Sequence, residues 1–198
     1  KEKVSGNDQR ALELFAQCLR IDTKNHAAMY EMASIYNAKG KVNDALFFAK
    51  SASDLDPKNE WYQLLLANTY EKSGKFTEAI SIYQQLYKKY PDRVEYLFSE
   101  SDALLMQGKL QEAIKVYDVI EKEIGMTREM TQQKQRLYLK MGKVNEAAGE
   151  LEKLIQSDPD NMDNYSLLVE LWQVNGKSDK AMETINRMKT IDPENPSI

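Results

Sequence analysis

The heptapeptide SGKFTEA, residues 73–79, decides the fold because near copies of it recur along the chain. The copies are KGKVNDA (39–45), QGKLQEA (107–113), MGKVNEA (141–147) and NGKSDKA (175–181). Each copy starts 34 residues after the last and carries a glycine, a lysine and an alanine at fixed places. A proline series shares this register, at Pro57, Pro91, Pro159 and Pro193. Interlocked series at one period predict a protein built from structural repeats.

Each repeat is predicted to consist of two helices joined at the glycine. The segments EWYQLLLANTYEKS (60–73) and FTEAISIYQQLYKKY (76–90) are rich in helix formers and carry apolar residues at helical spacing. Gly74 follows the first helix, where a left-handed residue closes the last turn and only glycine takes that conformation cheaply. Ala79 allows the two helices to cross closely, and Pro91 ends the second helix.

A phosphate-binding loop is the alternative explanation of the Gly-Lys pair. Such a loop needs a further glycine five residues before the pair. The residues found at this place are Ile35, Thr69, Ala103, Leu137 and Leu171. The pair is therefore predicted to be structural, and no nucleotide site is expected.

The composition of the 198-residue chain excludes several classes of site. A net charge of −4 gives no basic excess for nucleic acid, and no apolar run approaches the roughly 20 residues that a membrane-spanning helix needs. Cys18 is the only cysteine and His26 the only histidine, which argues against a cysteine-cluster metal site and a histidine-based catalytic set. We expect no catalytic residue, no cofactor and no metal, and we expect His26 to lie in solvent.

The pattern resembles the tetratricopeptide repeat (TPR) family over essentially the whole chain. The unit of that family is a 34-residue helix-turn-helix with large apolar residues, small residues at fixed places and a closing proline. The matching residues of the second full repeat are Leu66, Ala67, Tyr70, Gly74, Ala79, Tyr83, Leu86 and Pro91, and those of the last are Tyr165, Leu168, Trp172, Gly176, Ala181, Ile185, Met188 and Pro193. The resemblance implies an all-α fold, a right-handed superhelical solenoid of antiparallel helix pairs.

In this register, residues 1–198 are predicted to form a single TPR array. The full repeats are 26–59, 60–93, 94–127, 128–161 and 162–195, and residues 1–25 hold a partial repeat with only its second helix, about Asp8 to Ile21. Because the chain starts inside a repeat and ends just after one, we expect it to be a piece of a longer array. Arrays of this kind are common in bacterial cytoplasm and in envelope lipoproteins, and the segment does not separate the two compartments.

The resemblance also implies a concave groove lined by the first helix of each repeat. The residues predicted to form it are Tyr30, Trp61, Leu64, Asn68, Phe98, Asp102, Leu105, Met106 and Arg136, and further groove places hold Ser34, Gln132, Leu139, Ser166, Glu170 and Gln173. The groove is expected to be aromatic and apolar in its N-terminal half and polar in its C-terminal half. The alternative is that Trp61 and Tyr30 pack against neighbouring helices and are structural.

The function that the resemblance implies is a non-catalytic scaffold that binds a peptide or a partner helix in this groove. A carboxylate clamp for a chaperone tail is rejected, because only Asn68 fits such a clamp and acids such as Glu95 and Glu129 stand at other places of it. The alternative function is a structural segment of a longer multidomain protein whose catalytic or sensor domain lies elsewhere. We expect neither nucleic acid nor direct membrane insertion.

Two first helices depart from the family pattern. Glu100 and Lys134 both occupy the seventh place of their repeat, where a buried leucine is usual. Either the two charges pair between stacked helices, since a lone buried charge would cost several kcal/mol, or the helices are shifted and these side chains face solvent. In both cases we expect the array to bend or loosen at EIGMTRE (123–129).

The last helix, about residues 178–191, is predicted to leave an apolar strip open. Helical spacing places Ala181 and Met188 toward their own repeat, whereas Met182 and Ile191 point elsewhere. An open apolar strip usually finds a partner. We therefore expect weak self-association of this chain through its C-terminal helix.

Overall fold

The structure is a computed structural model that describes the backbone of residues 2–194 and the side chains of residues 7–194. Within this range it contains eleven α-helices and no β-strand, which confirms the all-α prediction. The chain divides between Lys109 and Leu110 into two compact units. The N-terminal unit contains six of the helices and the C-terminal unit contains five.

The N-terminal unit is a succession of helices in which each packs against the next. Its helices are α1 (Glu2–Ile21), α2 (His26–Ala38), α3 (Val42–Leu55), α4 (Glu60–Lys72), α5 (Phe76–Lys89) and α6 (Glu95–Met106). In the register of the repeat, α2, α4 and α6 are first helices, and α1, α3 and α5 are second helices. The first helices α2 and α4 also contact each other directly.

The first helix of the chain is longer than the sequence predicts. It begins at Glu2 rather than near Asp8, and it runs through the first glycine of the series. A glycine inside a helix costs only about 1 kcal/mol relative to alanine, so it does not end a helix unless the chain also turns there. The glycines that do take a left-handed conformation in this series are Gly40, Gly74, Gly108, Gly142 and Gly176.

The C-terminal unit continues the same pattern of consecutive packed helices. Its helices are α7 (Leu110–Ile124), α8 (Arg128–Lys140), α9 (Val144–Ser157), α10 (Met162–Val174) and α11 (Ser178–Ile191). The division at Lys109 and Leu110 does not coincide with residues 123–129, where a loosening was expected. At those residues the side chain of Thr127 accepts a hydrogen bond from the backbone N–H of Met130 at 3.3 Å, which caps α8.

The recurring glycine turn has the geometry that the sequence predicts. Gly74 has a φ of 73°. Its N–H donates to the carbonyl of Glu71 at 2.9 Å, and the N–H of Lys75 donates to the carbonyl of Tyr70 at 2.8 Å. This pair of bonds is the Schellman motif, which satisfies the last carbonyls of a helix and requires a left-handed residue. The glycine therefore has a complete structural explanation.

The alanine and proline series also have structural roles. Alanines 45, 79, 113 and 147 have no exposed surface, and Ala181 is 3% exposed. In the N-terminal unit Ala79 packs in one cluster with Leu66 and Tyr83. The residues before the prolines, Tyr90 among them, have ψ values of 72–86°, outside the helical region, and end their helices. Each series therefore marks a place where the backbone turns or where two helices touch.

Glu100 and Lys134 are both buried, but each finds partners inside its own unit. Glu100 accepts a hydrogen bond from Gln84 at 2.7 Å. The ammonium of Lys134 lies within 2.5 Å of Asp118, 3.0 Å of Glu121 and 3.2 Å of Glu150. The expectation that these side chains face solvent is therefore wrong, because both are buried, and the partners that the structure gives to each belong to its own unit.

Candidate functional site

Eight of the nine predicted groove residues lie on the first helices of the N-terminal unit. They are Tyr30 on α2, Trp61, Leu64 and Asn68 on α4, and Phe98, Asp102, Leu105 and Met106 on α6. We call these eight residues together the first-helix face. Arg136, the ninth residue, is exposed on α8 in the C-terminal unit.

Polar contacts fix the three helices of the first-helix face. His26, at the start of α2, forms a hydrogen bond through Nδ1 with the hydroxyl of Tyr62 on α4 at 2.8 Å. Glu60 at the start of α4 accepts hydrogen bonds from Arg93 and from Tyr96 on α6. The only histidine is therefore part of the helix packing and half-buried, which corrects the expectation that it lies in solvent.

The apolar residues of the first-helix face differ in exposure. Trp61 is 61% exposed and Met106 is 73% exposed, whereas Phe98 is 36% exposed. Tyr30 is half-buried with its ring centre 5.2 Å from that of Tyr62, and Leu64 packs against the core. Tyr30 and Leu64 thus pack against neighbouring residues and have a structural role, whereas Trp61 is exposed to solvent.

Polar residues border this apolar surface. The hydroxyl of Tyr83 donates to Oδ1 of Asn68 at 3.2 Å. Burial raises the pKa of Glu71, and the charge of Asp102 adds to the rise. Burial also raises the pKa of Asp102. Glu71 is half-buried and Asp102 is exposed.

Sequence reasoning missed Glu71, Tyr83 and Asn37 as residues of this region. Asn37, Glu71 and Leu105 stand at the same place of successive repeats, 34 residues apart. That place was already assigned to the groove through Leu105, so the repeat register contained the signal for Asn37 and Glu71, whereas Tyr83 lies on the second helix α5 outside that series.

The C-terminal unit has a cavity of about 240 Å³ between α8 and α10. Its lining residues are Gln135, Leu139, Leu167, Glu170, Leu171, Val174 and Asn175. Val174 is 78% exposed and Leu139 is 36% exposed. The cavity therefore has apolar lining from the leucines and the valine beside its polar residues.

The described residues contain neither a candidate metal cluster nor a candidate membrane span. No group of three or more histidine, cysteine or carboxylate side chains is placed to hold a metal ion in that part of the chain. No helix within it has both the length and the apolar character that crossing a membrane requires.

Comparison with known proteins identifies the repeat. Tetratricopeptide repeat family models match residues 5–69 and 138–198 in one case and residues 64–125 in the other. The first of these models alone covers more than half of the chain. No curated protein matches the chain.

Solved structures with the same fold include a tetratricopeptide repeat protein from Parabacteroides merdae, with 22% identity over 94% of this chain and 74% of that chain and a TM-score of 0.63. The Naa15/Naa10 complex bound to HypK gives 18% identity over 98% of this chain and 30% of that chain, with a TM-score of 0.69. YrrB, a TPR protein with an unusual peptide-binding site, gives 15% identity over 92% of this chain and 94% of that chain, with a TM-score of 0.56. At these identities the likeness shows the fold alone. Together with the family matches, it means that this chain belongs to the tetratricopeptide repeat family.

Proposed function

We propose that this chain is a non-catalytic scaffold that binds a peptide or a partner helix on the first-helix face. The exposure of Trp61 and Met106, 61% and 73%, carries the proposal. Large apolar side chains grouped on one open surface are typical of interaction sites, and tryptophan is enriched among the residues that dominate binding energy. A bound segment would cover Trp61 and Phe98 and remove their surface from water.

The family and its relatives support this role. TPR proteins are generally non-catalytic scaffolds that bind proteins or peptides. YrrB is described as having a peptide-binding site, and Naa15/Naa10 is bound to HypK. The alternative role, a structural segment of a longer multidomain protein, predicts that the first-helix face contributes nothing to binding.

The same proposal assigns the cavity between α8 and α10 and the nearby residue Arg136 on α8 to the partner surface of the C-terminal unit. Small-molecule pockets usually have about 300–1,000 Å³, so a cavity of about 240 Å³ suits a single apolar side chain better. Leu139 and Val174 would provide the apolar contact.

A selection from a random-peptide library displayed on phage tests the proposed function. Peptides selected on the wild-type chain should bind it in solution and lose most of their affinity for the Trp61→Ala and Phe98→Ala variants. Phe47→Ala is the matched control, since Phe47 is 66% exposed on α3, a second helix. Peptides that bind all three variants equally would contradict the role of the first-helix face.

We also propose weak self-association through α11. Met182 on this helix is 56% exposed. Residues 34, 68 and 102 positions earlier, Ala148, Ile114 and Ile80, are buried. The equivalent surface in other repeats is therefore covered, and a second copy of the chain would cover it here.

A further inference from the structure

Helix α1 has an apolar face that is open in the described structure. The second helices α3, α5 and α9 each pack against the first helix before them and the first helix after them, whereas α1 packs against α2, the helix after it. On the other side of α1, Leu14 is 49% exposed and Cys18 is exposed as well. We call the surface around these two residues the α1 face.

The later repeats show that the α1 face is normally a buried surface. The counterparts of Cys18, at intervals of 34 residues, are all buried, and they are Ala52, Leu86, Ile120, Leu154 and Met188. Among the counterparts of Leu14, Ile82, Glu150 and Thr184 are buried too. Because stacked repeats bury equal places against their neighbours, the α1 face has the character of a contact surface that lacks its partner.

Helix α11 is open on its opposite side, where earlier second helices contact the first helix that follows. Its packing partner is α10, the helix before it. Met182 is 56% exposed, although its counterparts in three earlier repeats are buried. A shallow depression of about 520 Å³ runs along this side, and its lining residues are Asp179, Met182, Glu183, Asn186, Arg187 and Thr190. We call this surface the α11 face.

The α1 face has a base at its start and an acid at its end. Arg10 lies one turn before Leu14, and Asp22 lies one turn after Cys18, directly after the last residue of α1. Both are exposed, and neither forms an ion pair with another described residue. The α1 face therefore runs from a positive charge through apolar surface to a negative charge.

On the α11 face the order of the charges is reversed. Asp179 lies one turn before Met182, and Lys189 lies two turns after it. Glu183 adds a second acid near Asp179. These three charged residues are exposed and form no ion pair within the described part of the chain, whereas Arg187 is already paired with a carboxylate of α9. The α11 face therefore runs from negative charge through apolar surface to a positive charge.

We infer that the α11 face of one copy docks on the α1 face of a second copy, with the two helices side by side and parallel. The inference rests on the proposed self-association, because it names the surface that covers Met182. Since different surfaces of the two copies meet, the contact is heterologous.

The spacing of the charges supports the parallel orientation. When Leu14 lies opposite Met182, Arg10 and Asp179 stand about 6 Å and 4.5 Å before this contact, at 1.5 Å per residue. Asp22 and Lys189 stand about 12 Å and 10.5 Å after it. Opposite charges then meet at both ends, whereas the antiparallel orientation would bring like charges together.

A contact between two copies of α11 fits the same charges less well. In an antiparallel pair that brings Asp179 to Lys189 of the second copy, Met182 lies opposite the amide of Asn186 rather than an apolar side chain. Such a pair would also leave Leu14 exposed. The α1 face covers both apolar surfaces at once, which favours it as the docking surface.

The decisive test uses the fact that two different surfaces meet. Leu14→Glu places a charge in the α1 face, and Met182→Glu places one in the α11 face. Each variant alone should lose the concentration-dependent association of the wild type in sedimentation equilibrium. An equimolar mixture of the two should form pairs, because the first variant keeps an intact α11 face and the second keeps an intact α1 face. Misfolded variants would not recover association on mixing.

Two controls accompany the mixture. The double variant Leu14→Glu/Met182→Glu should associate with neither single variant, because it lacks both faces. Gln9→Glu adds the same charge to α1 at a place that is exposed in every later repeat, and it should leave the association unchanged. Circular dichroism of each variant checks that the helices are intact.

A charge exchange tests the orientation. Arg10→Glu and Asp179→Arg should each weaken the association about threefold or more, because each brings like charges together. The chain that carries both changes should recover toward the wild type, since position 10 of one copy lies against position 179 of the next. A double variant as weak as the single ones would contradict the parallel contact.

The inference and the proposed self-association fail in different ways. Association that survives Leu14→Glu, a mixture of the two single variants that stays monomeric, or a loss with Gln9→Glu as large as with Leu14→Glu would overturn the inference and leave association through α11 in place. A wild type that stays monomeric at high concentration would overturn both.

Discussion

Gly74 closes α4 with a φ of 73°, and a Cβ added there would meet no atom within 4 Å. Space is therefore no obstacle, and only the backbone conformation restricts the residue. We predict that Gly74→Val lowers the free energy of unfolding by at least about 1 kcal/mol, because a β-branched residue resists the left-handed region. Chemical denaturation followed by circular dichroism measures the change.

Gly149 is the matched control for Gly74. It lies inside α9, has no positive φ and has equally open surroundings. Gly149→Ala is expected to raise the free energy of unfolding by about 0.5–1 kcal/mol, because alanine favours a helix interior over glycine. Equal effects of the two substitutions would show that the turn conformation is not what restricts Gly74.

Glu100 is a buried carboxyl whose protonation should appear in the stability of the protein. Burial raises its pKa, and the hydrogen bond from Gln84 opposes the rise. A carboxyl with a higher pKa in the folded state than in the unfolded state destabilises the fold above that pKa, and this cost disappears as the pH falls. We predict that Glu100→Leu raises the melting temperature at pH 7 and that its advantage over the wild type shrinks as the pH falls toward the ordinary pKa of a glutamate.

Gln84 supplies the control for this experiment. In the wild type, Gln84→Leu removes the donor and should lower the melting temperature, because the buried carboxylate loses its partner. In the Glu100→Leu background the same change should have little effect. A constant difference between Glu100→Leu and the wild type at all pH values would contradict the assignment.

The partners of Glu100 and Lys134 show what the sequence could and could not predict at this scale. That these charges needed partners followed from their place in the repeat. Their actual partners Gln84 and Asp118 each stand 16 residues earlier. The sequence did contain the needed pairs, because the amide Gln84 stands opposite Glu100 and the carboxylate Asp118 stands opposite Lys134. It was missed because equal places of neighbouring repeats were compared, rather than a first helix with the second helix before it.

At the scale of the helix, the ammonium of Lys134 forms ion pairs that connect α8 with α7 and α9. It has no exposed surface and lies within 3.2 Å of carboxylates from α7 and α9. Burial lowers its pKa, but the hydrogen bonds with Asp118 and Glu121 outweigh that effect and the pKa is raised, so the charge is retained at neutral pH. This network explains why α8 can be a core helix although its sequence is more polar than that of the other first helices.

Removing the ammonium should therefore be costly. We predict that Lys134→Met lowers the free energy of unfolding by about 3 kcal/mol or more, because it leaves the largely buried Glu121 and Glu150 with only the partly exposed Lys153 as counter-charge. Lys153, which shares Glu121 and Glu150 but is 42% exposed, is the control. Lys153→Met should cost about 1 kcal/mol or less. A loss below about 1 kcal/mol for Lys134→Met would contradict the proposed role of the network.

Element boundaries were largely predictable from the 34-residue period, since glycine and proline restrict the backbone at both ends of each pair. The exceptions have local causes. The start of α1 was placed too late because a glycine was taken as a helix end where the chain does not turn. The cavity between α8 and α10 escaped prediction because Leu167 and Leu171, buried positions by periodicity, border the surface together with Val174.

At the scale of the whole molecule, the division after Lys109 separates the two helices of the predicted repeat 94–127. The sequence period is continuous across this point, so the period alone does not locate it. Eight of the nine predicted groove residues fall in the N-terminal unit. The first-helix face therefore lies within one unit, whereas Arg136 and the cavity between α8 and α10 belong to the other.

Helix α11 carries apolar side chains that are exposed to solvent. Ala181 and Met188 pack into the core of their own unit, whereas Met182 is 56% exposed. Ile191 is 40% exposed, but its counterparts Ser157 and Lys89 in earlier repeats are exposed too, so it does not belong to the surface that other repeats cover. This corrects the expectation that Met182 and Ile191 act together.

We predict that the chain associates weakly at high concentration and that Met182→Glu abolishes the association. A charge at this position would have to be buried without a partner when two copies meet. Ile191→Lys, which adds a charge to the same helix outside the covered surface, should leave the association unchanged. Sedimentation equilibrium over a range of concentrations measures all three chains. If the wild type stays monomeric, or if Ile191→Lys disrupts the association as strongly as Met182→Glu, then the surface around Met182 is not the contact.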